Sequence, residues 1–313
     1  MELYQLRTFA AVAEEGHLTR AAEKLHLSQP AVSAQIRALE DELGVTLFER
    51  GSGGMTLTPA GRHLLPEAEK TVQAAQALRS EALALHGEVS GHVRLATVAD
   101  PSFLRLPQVL SRAVERFPLL EVEVHHEISG AAFEKVRDGD HDAGFYFGAL
   151  SHPNVTQLPL VELVYRVVAP AAWCDRIATA TWEEIASEPW IVTPAISTHT
   201  ALASELFSAR GVSPARRIEA DNELVISSLV TAGVGISLMR EDAALALAEA
   251  GTLCVYGDVR LRTPLAFIHA RERQGDPALR ALTDVVREVW DLERLPAGDA
   301  QPQPSPADAR IGT

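Results

Sequence analysis

The sequence predicts two folded parts: a helical N-terminal domain with a small β-hairpin, and a C-terminal α/β domain. One long helix joins them. Three observations support this division. Residues 2–43 contain three short segments with apolar residues at helical spacing, residues 59–86 form a longer helical stretch, and strand-like and helix-like segments alternate from residue 91. A length of 313 residues is enough for two or three domains.

The composition is that of an ordinary folded protein, with 47% hydrophobic and 22% charged residues. Two cysteines, Cys174 and Cys254, indicate a reducing compartment rather than a disulfide scaffold. The N-terminus does not resemble a signal peptide, and residues 158–174, the most apolar run, are interrupted by Glu162 and Arg166. We therefore expect a cytoplasmic protein with no membrane-spanning segment.

The charge balance argues against non-specific binding to nucleic acid. The formal net charge is −14, and residues 1–90 contain 8 basic and 12 acidic residues. Any recognition of DNA must therefore depend on how a few side chains are arranged, not on a basic excess.

Three helices are predicted in the N-terminal domain. The first covers residues 2–15 and ends at Gly16. Thr19 is expected to cap a short second helix at 20–26, and Ser28 to cap a third helix that runs to about residue 43. The apolar residues of this third helix share one face. The opposite, outward face is made of Pro30, Ser33, Ala34 and Arg37.

A β-hairpin and a long helix follow. Residues 46–50 and 55–58 flank a glycine-rich turn, which is typical of a hairpin. Thr58 and Pro59 are expected to start a helix that continues uninterrupted to Gly87, about 29 residues and 43 Å long. Its heptad seam comprises Leu64, Ala68, Thr71, Ala75, Leu78, Ala82 and Leu85. The seam favours a homodimer; the alternative is a single helix lying on its own domain.

The C-terminal region alternates between strands and helices, which indicates parallel βαβ units. Strands are predicted at 92–98, 120–128, 143–147, 161–168, 190–193, 216–220, 235–239, 253–256 and 265–270. Helices are predicted at 104–117, 131–137, near 182, and at 199–209, 223–232, 241–250 and 277–290. Residues 296–313, rich in Pro, Ala, Gly, Asp and Gln, are expected to be a disordered tail.

One stretch carries a family resemblance. Residues 21–40 are AAEKLHLSQPAVSAQIRALE, followed by LGVTLFER at 43–50 and LTPAG at 57–61. This pattern resembles the winged helix-turn-helix of LysR-type transcriptional regulators, and the resemblance continues to about residue 290. It implies a DNA-binding domain at 1–58, a linker (dimerisation) helix at 59–88 and an effector-binding domain at 91–295.

The family's effector-binding half is similar to periplasmic binding proteins, with two lobes on either side of a cleft. The resemblance puts lobe I at about 91–161 and 266–295, and lobe II at about 162–265. The two crossing segments are expected near 160–165 and 262–266.

The third helix is the candidate reader of DNA, because a helix with a short polar outward face fits the major groove. Gln29 suits adenine, Arg37 suits guanine or phosphate, and Pro30 suits a thymine methyl. Backbone N–H groups near Ser28 suit a phosphate. The full candidate set is Thr19, Arg20, Ser28, Gln29, Pro30, Ser33, Ala34, Arg37, Arg50, Ser52 and Thr56. The alternative is that Ser28 only caps, Gln29 is only solvated and Arg37 only pairs with Glu40 or Asp41.

The chain also departs from the family pattern. Many relatives have Ser or Asn followed by Phe where His17 and Leu18 stand here, and a basic residue in place of Ala34. Many have basic residues in the wing where this chain has Gly51, Gly53 and Gly54. Fewer phosphate contacts imply weaker binding per protomer, so a dimer or tetramer is expected to be needed.

Effector-binding candidates are carried over by position, at the carboxyl ends of predicted strands. They are Asp100, Ser102, Ser129, Phe147, Gly148, Thr193, Pro194, Ser197 and Thr198. Thr193 and Pro194 could equally form a plain turn, and residues 221–223 a helix cap. Helix N-termini favour a carboxylate ligand while Asp100 opposes one, so the sequence leaves the charge of the ligand open.

Other motifs are weak. Gly233 and Gly235 follow a predicted helix instead of a strand, so Gly233 is interpreted as a helix end, not part of a dinucleotide site. His125 and His126 alternate across a strand and cannot share a metal. Ser237 lacks the glycine of a nucleophile elbow. The two cysteines lie in different predicted elements, which gives little support to a thiol switch.

The sequence therefore predicts a sequence-specific DNA-binding regulator controlled by a small effector, not an enzyme, and without a metal or cofactor. The expected partners are promoter DNA, the effector, further copies of the chain and RNA polymerase. The proposed mechanism is that the effector favours one closure of the lobes and so changes the placement of the DNA-binding domains. The alternatives are a solute-binding protein and a cytoplasmic α/β enzyme, neither of which accounts for residues 17–61.

Overall fold

The computed structural model describes residues 1–51, 54–85 and 88–292. The predicted tail at 296–313 and Ser52 lie outside these residues. The N-terminal domain consists of α1 (Leu3–Glu15), α2 (Leu18–Lys24), α3 (Gln29–Leu43), β1 (Phe48–Gly51) and β2 (Gly54–Leu57). The strands β1 and β2 pair antiparallel, as the predicted hairpin requires.

Local sequence signals determine most of the helix ends. Gly16 and Gly44 end α1 and α3 with φ values of 63° and 68°, the left-handed conformation that glycine adopts readily. The Ser28 hydroxyl caps α3 by accepting a hydrogen bond from the Ala31 N–H at 3.3 Å. The predicted cap at Thr19 is wrong: α2 begins at Leu18 with His17 at its N-cap position, because α1 and α2 are separated by only two residues.

The core of this domain forms between the three helices and the hairpin. The rings of Phe9 and Phe48 meet edge to face, with centroids 5.5 Å apart. The Glu40 carboxylate accepts hydrogen bonds from the backbone N–H groups of Leu47 at 2.7 Å and Phe48 at 3.2 Å. Glu40 belongs to α3, so this carboxylate fixes the start of the hairpin β1–β2, the wing, to α3.

The long helix α4 (Pro59–Ala84) begins as predicted, with the Thr58 hydroxyl accepting from the Gly61 N–H at 2.9 Å. It has 26 residues and ends before Gly87, so it is shorter than predicted. Pro66 lies inside it, and the prediction of an uninterrupted helical run did not take this residue into account. The helix continues through Pro66, although a proline there removes one backbone hydrogen bond.

The heptad seam of α4 divides into two parts. Leu64 and Ala68 pack against the helices of the N-terminal domain, and Ala68 is only 7% exposed. Leu78 and Leu85 are 74% and 87% exposed. The first part of the seam therefore follows the alternative interpretation, a helix lying on its own domain, and only the second part presents apolar side chains to a partner.

Two α/β lobes make up the rest of the chain. Lobe I contains β3 (Ser90–Thr97), α5 (Leu106–Arg116), β4 (Leu119–His126), α6 (Ser129–Asp138), β5 (Ala143–Phe147) and α12 (Pro277–Val289). Lobe II contains α7 (Cys174–Ala178), α8 (Trp182–Ser187), β7 (Pro189–Val192), α9 (Thr198–Arg210), β8 (Arg216–Glu219), α10 (Glu223–Thr231), β9 (Ser237–Arg240), α11 (Glu241–Glu249) and β10 (Leu253–Val255). The strands β6 (Val155–Pro170) and β11 (Leu261–Ala270) run between the lobes.

The strand pairing is mixed, and the prediction of parallel units holds only within each lobe. β3 pairs parallel with β4 and β5, and β7 pairs parallel with β8. β6 pairs antiparallel with β9, β10 and β11, and β11 also pairs antiparallel with β5. The sheet order is β10-β6-β11-β5-β3-β4. The antiparallel pairs arise because the chain leaves lobe I along β6 and returns along β11.

The two crossing strands lie where the sequence predicted the crossings. β11 pairs with β6 from Leu261↔Tyr165 to Ala270↔Val155, and the register shifts between Leu265 and Ala266. At the lobe I end β11 pairs with β5, and at the lobe II end β6 pairs with β9. The shift in register therefore lies between the part of the β6–β11 pair that belongs to lobe I and the part that belongs to lobe II. Within the described part of the chain, no helix is both long and apolar enough to cross a bilayer.

Candidate functional site

The first candidate site is the outward face of α3. Ser28, Gln29, Pro30, Ala34 and Arg37 are all exposed there, as the sequence predicts.

Ser33 differs from that prediction, because it is only 6% exposed. Its hydroxyl accepts hydrogen bonds from Arg37 at 3.0 Å and from Arg50 of the wing at 3.5 Å. Arg37 also donates to the Ser33 carbonyl at 3.3 Å, and does not pair with Glu40 or Asp41 as the alternative required. Ser33 therefore positions two arginines and is not itself free to read a base.

The remaining predicted DNA contacts lie around this face. Thr19 and Arg20 are exposed on α2, and Arg20 Nε pairs with Glu15 Oε2 at 3.3 Å. Thr56 is exposed on the wing, where its hydroxyl donates to the Glu49 carbonyl at 3.4 Å. Arg20 is thus partly neutralised, whereas Arg37 and Arg50 form no ion pair with a described carboxylate and provide the positive charge on this face.

One glycine of the wing, Gly54, is required by the packing of the backbone around it. The N–H of Met55 donates to the Gly16 carbonyl at 2.7 Å, which ties the wing to the turn between α1 and α2. A side-chain carbon at Gly54 would overlap that carbonyl and the His17 ring, and Gly54 has a φ of 123°. A basic residue at this position of the wing is therefore excluded by backbone packing.

The second candidate site is a cavity between the lobes. It has an empty volume of about 560 Å³, part of it open to solvent. Four of the predicted effector-binding residues line it: Ser129, Phe147, Thr193 and Ser197. The other lining residues were not predicted as effector contacts: Val98, Glu127, Ile128, Tyr165, His199, Asp221, Glu223, Ile226, Leu238 and Met239.

The other predicted cleft residues have different surroundings. Asp100 lines a neighbouring cavity, and its carboxylate accepts from the N–H groups of Ser102 at 2.9 Å and Phe103 at 3.1 Å. The Pro194 carbonyl accepts from the Ser197 N–H at 2.9 Å, which makes the turn that the sequence allowed. These residues shape the loops at the cleft instead of lining its main cavity.

Three contacts between described residues join the lobes around the cavity. The Thr198 hydroxyl of lobe II donates to the Phe147 carbonyl of lobe I, next to Gly148. Gly130 of α6 lies so close to Ile196 that a side-chain carbon at Gly130 would overlap it. The guanidinium of Arg240 stacks on the ring of Phe103. The lobes are therefore in a closed arrangement.

Acidic groups dominate the charge of the cavity. Burial raises the pKa of the Glu127 carboxyl, but its hydrogen bonds to Lys135 at 2.5 Å and His141 at 3.1 Å outweigh that effect and lower the pKa. Burial also raises the pKa of Glu223, and Arg240 at 2.9 Å offsets this only in part. Glu127 is thus compensated locally, while Glu223 keeps an incompletely satisfied carboxylate.

His199 is a neutral imidazole in the wall of this cavity. Burial lowers its pKa, and its Nε2 lies 3.0 Å from the Leu238 carbonyl, which assigns the proton to Nε2. Its Nδ1 is then an acceptor, and this buried atom has no hydrogen-bond partner in the described residues; the same is true of Glu223 Oε1. Burial also raises the pKa of the Tyr165 hydroxyl, so that group stays protonated.

The sequence did contain a signal for two of the missed residues. Residues 221–223 were interpreted as a helix cap, and Asn222 does cap α10 by accepting from the Leu224 N–H at 2.9 Å. Its neighbours Asp221 and Glu223 line the cavity at the same time. A helix cap that follows a strand and has polar residues on both sides was therefore the pattern that indicated these two cavity residues.

Three weaker motifs can now be assigned. Gly233 has a φ of 86° directly after α10, as expected for the end of a helix. His125 pairs with Glu123 at 3.0 Å. The described residues contain no group of three or more His, Cys, Asp or Glu side chains that could hold a metal ion. Cys174 and Cys254 are close in space: both thiols donate to the Pro170 carbonyl, at 3.9 and 3.7 Å.

Comparisons with known proteins cover both the N-terminal domain and the two-lobed region. Residues 3–62 match the family model described as bacterial regulatory helix-turn-helix protein, lysR family, and residues 86–291 match the LysR substrate binding domain. The chain is 33% identical over 251 residues to the HTH-type transcriptional regulator IlvR of Caulobacter vibrioides, covering 76% of this chain and 82% of that protein. It is 29% identical over 305 residues to BenM of Acinetobacter baylyi, covering 94% and 97%.

A shorter match, 38% identical over 168 residues, joins the chain to a probable hydrogen peroxide-inducible genes activator of Streptomyces viridosporus and covers 54% of each protein. Among solved structures, full-length CbnR complexed with its target DNA has a TM-score of 0.64 at 24% identity, covering 92% of this chain and 100% of that one. ArgP from Mycobacterium tuberculosis has a TM-score of 0.67 at 24% identity, covering 91% and 96%. These structures share the fold.

Proposed function

Since the chain belongs to the LysR family of transcriptional regulators, we propose that it reads operator DNA with α3 and the wing while a small effector binds in the cavity between its lobes. The observation that carries this proposal is the exposed, arginine-bearing face of α3, held at one end of a chain whose other end encloses a cavity. DNA binding and effector binding are properties of the family. The individual residues are our assignment.

Base recognition is assigned to Gln29, Pro30 and Arg37, which are exposed on α3. Arg37 is preorganised by its hydrogen bonds to Ser33, so less side-chain freedom is lost when it meets guanine or phosphate. Arg50, which shares the Ser33 hydroxyl, is assigned to the phosphate backbone. The N–H groups at the start of α3 are assigned to a second phosphate.

Dimerisation is assigned to the second part of the α4 seam: Ala75, Leu78, Ala82 and Leu85. The exposure of Leu78 and Leu85 supports this, because large apolar side chains on a helix are stabilised by a second helix. A dimer places two α3 helices on one operator and raises their effective concentration, which compensates for the few basic residues of each domain. Assembly into a tetramer and contact with RNA polymerase belong to the same proposal.

Effector control is assigned to lobe closure. A ligand that binds the closed arrangement more tightly than an open one shifts the equilibrium by its difference in affinity, typically about 1–3 kcal/mol. We assign no reaction to the cavity and place the protein in the cytoplasm. A purely solute-binding role is disfavoured because it gives α3 and the wing no purpose.

The test is footprinting of the intergenic DNA beside the protein's own gene, across a salt series, with wild type and Arg37→Ala. We expect a protected pseudo-palindrome, and a loss of about 1–3 kcal/mol of affinity in the variant, with weaker discrimination between sequences. Arg79→Ala is the matched control, because Arg79 is an exposed arginine on α4, outside the proposed reading face. Absence of protection by wild type at low salt would contradict the proposal.

A further inference from the structure

Two buried acceptor atoms in the effector cavity receive no hydrogen bond from any described residue. Glu223 Oε1 is one, since Arg240 binds only the other oxygen of this carboxylate. His199 Nδ1 is the second, because Nε2 holds the ring proton. A buried polar atom without a partner costs about 1–3 kcal/mol, so both atoms favour a ligand that brings hydrogen-bond donors.

The charges around the cavity favour the same chemistry. No lysine or arginine is among the described residues that line it, whereas Glu127, Asp221 and Glu223 are. Glu127 is compensated by Lys135 and His141. Asp221 takes part in none of the ion pairs between described residues, so its carboxylate remains available together with Glu223.

The helix N-termini at the cleft do not reverse this balance. The first turn of α10 already carries the carboxylate of Glu223. The Ser197 hydroxyl caps α9 by accepting from the His199 N–H at 3.3 Å, and Gly130 in the first turn of α6 is packed against Ile196. The start of α6 has no side-chain cap, but a ligand carboxylate at the cleft would also meet the carboxylates of Asp221 and Glu223, with no basic side chain among the described residues that line the cavity.

We propose that the effector is a small organic cation, with ammonium, amidinium or guanidinium N–H donors attached to a compact apolar group. The donors are bound by Glu223, Asp221 and the Nδ1 atom of His199. The apolar part is enclosed by Phe147, Ile226, Leu238 and Met239, which also line the cavity. This inference rests on the proposed function, since it names the ligand class of the same site.

The test uses probes that share one hydrocarbon and differ in charge: benzylamine, benzyl alcohol and benzoate, and likewise butylamine, butanol and butyrate. Binding to the full-length protein is measured by titration calorimetry. We expect the amine of at least one set to bind at least tenfold more tightly than its carboxylate. We expect Asp221→Asn and Glu223→Gln each to weaken amine binding at least fivefold, and Glu249→Gln, an exposed carboxylate on α11, to leave it unchanged.

Asp221→Asn keeps the test valid even if Glu223→Gln disturbs folding through Arg240, because Asp221 is exposed and outside the ion pairs of the described residues. The proposal is overturned if no amine binds, if carboxylates bind as tightly as amines, or if Asp221→Asn leaves amine binding unchanged. Footprinting of the same preparations separates the two proposals: intact operator protection with no preference for amines refutes the ligand class alone, and lost protection refutes the proposed function.

Discussion

The guanidinium carbon of Arg240 lies 3.6 Å from the centroid of the Phe103 ring, and the two residues belong to opposite lobes. Arg240 is also held by Glu223 at 2.9 Å and by both carboxylate oxygens of Asp242, at 3.1 and 3.2 Å. Arg240 therefore contacts Phe103 of the opposite lobe and, at the same time, the carboxylate of Glu223, which lines the cavity. We therefore expect occupation of the cavity and closure of the lobes to be coupled through Arg240.

Phe103→Leu is expected to weaken the closed arrangement. Leucine keeps most of the apolar bulk but removes the aromatic face, and a cation–π contact that is partly shielded from water contributes about 1–2 kcal/mol. The equilibrium between open and closed lobes should shift toward open by about five- to thirty-fold. Small-angle scattering of the ligand-free protein should show a larger radius of gyration. Trp173→Leu is the control, because its stacked partner Arg176 lies in the same lobe; an equal expansion there would refute the assignment.

Gly130→Ala is expected to prevent full closure. The added carbon would overlap Ile196 of the opposite lobe, including its backbone carbonyl, so the lobes must separate to accommodate it. Effector affinity should fall at least tenfold while the melting temperature changes little. Gly275→Ala is the matched control, because a side-chain carbon at Gly275 has open space around it. Unchanged effector affinity in Gly130→Ala would show that closure is not needed for binding.

Asp142→Asn is expected to lower the free energy of unfolding by about 3 kcal/mol. The Asp142 side chain is 2% exposed; it accepts hydrogen bonds from the Arg94 backbone N–H at 2.7 Å and its guanidinium at 3.0 Å, and pairs with Arg273. Removing the charge of Asp142 leaves Arg94 without its carboxylate partner and leaves Arg273 with Asp276 alone. Urea denaturation measures the loss, and Asp138→Asn, whose pair with Arg137 is exposed, should lose less than about 1 kcal/mol.

The same carboxylate gives a pH dependence. Burial raises the pKa of Asp142, but the hydrogen bond and charge of Arg94 and the charge of Arg273 outweigh that effect, so its pKa lies below the ordinary value of 3.8. A carboxyl whose pKa is lowered on folding stabilises the protein above its unfolded pKa, and this contribution is lost as the pH falls through the folded pKa. The difference in stability between wild type and Asp142→Asn should therefore shrink below about pH 4; a constant difference would contradict this.

Cys254 is expected to resist alkylation at neutral pH. Burial and the adjacent Cys174 thiol raise the pKa of Cys254 to about 12, so only about one thiol in ten thousand is ionised at pH 8. The rate of reaction with iodoacetamide should rise about tenfold per pH unit up to pH 10. Mass spectrometry follows the two cysteines separately, since they fall in different tryptic peptides. A rate that levels off below pH 9 would contradict the raised pKa, and urea-unfolded protein provides the reference rate.

The sequence predicted the features that depend on neighbours along the chain. Ser28 caps α3 and Gly16 ends α1, as predicted, because capping needs only the residues of one turn. Thr19 was misassigned because α2 begins one residue before it, at Leu18, and the residue at the N-cap position, His17, makes no side-chain cap that the sequence could signal. The family resemblance supplied the two lobes and the crossing strands, which no local pattern contains.

The missed residues depend on strand register. Tyr165 lies in a strand with the pattern of a core strand, and it reaches the cavity because β6 pairs in a specific register that puts Tyr165 opposite Leu261 of β11 and Arg240 of β9. Cys174 and Cys254 are 80 positions apart, and β10 brings them together by pairing Cys254 with Ala169. Ser33 was assigned to the outward face by helical periodicity, but the arginines that cover it come partly from the wing.

The chain returns to lobe I only after lobe II has been completed, and this order constrains biosynthesis. Two elements of lobe I, β11 and α12, are synthesised only in the last third of the protein. β11 pairs with β5 from Leu265↔Phe147 to His269↔Ala143, and α12 packs on α5. On the ribosome, β5 therefore has an unpaired edge for as long as lobe II is being synthesised. A chain that stops before Pro277 would have a complete second lobe and an uncovered first one, which makes the C-terminal helix the final step in maturation.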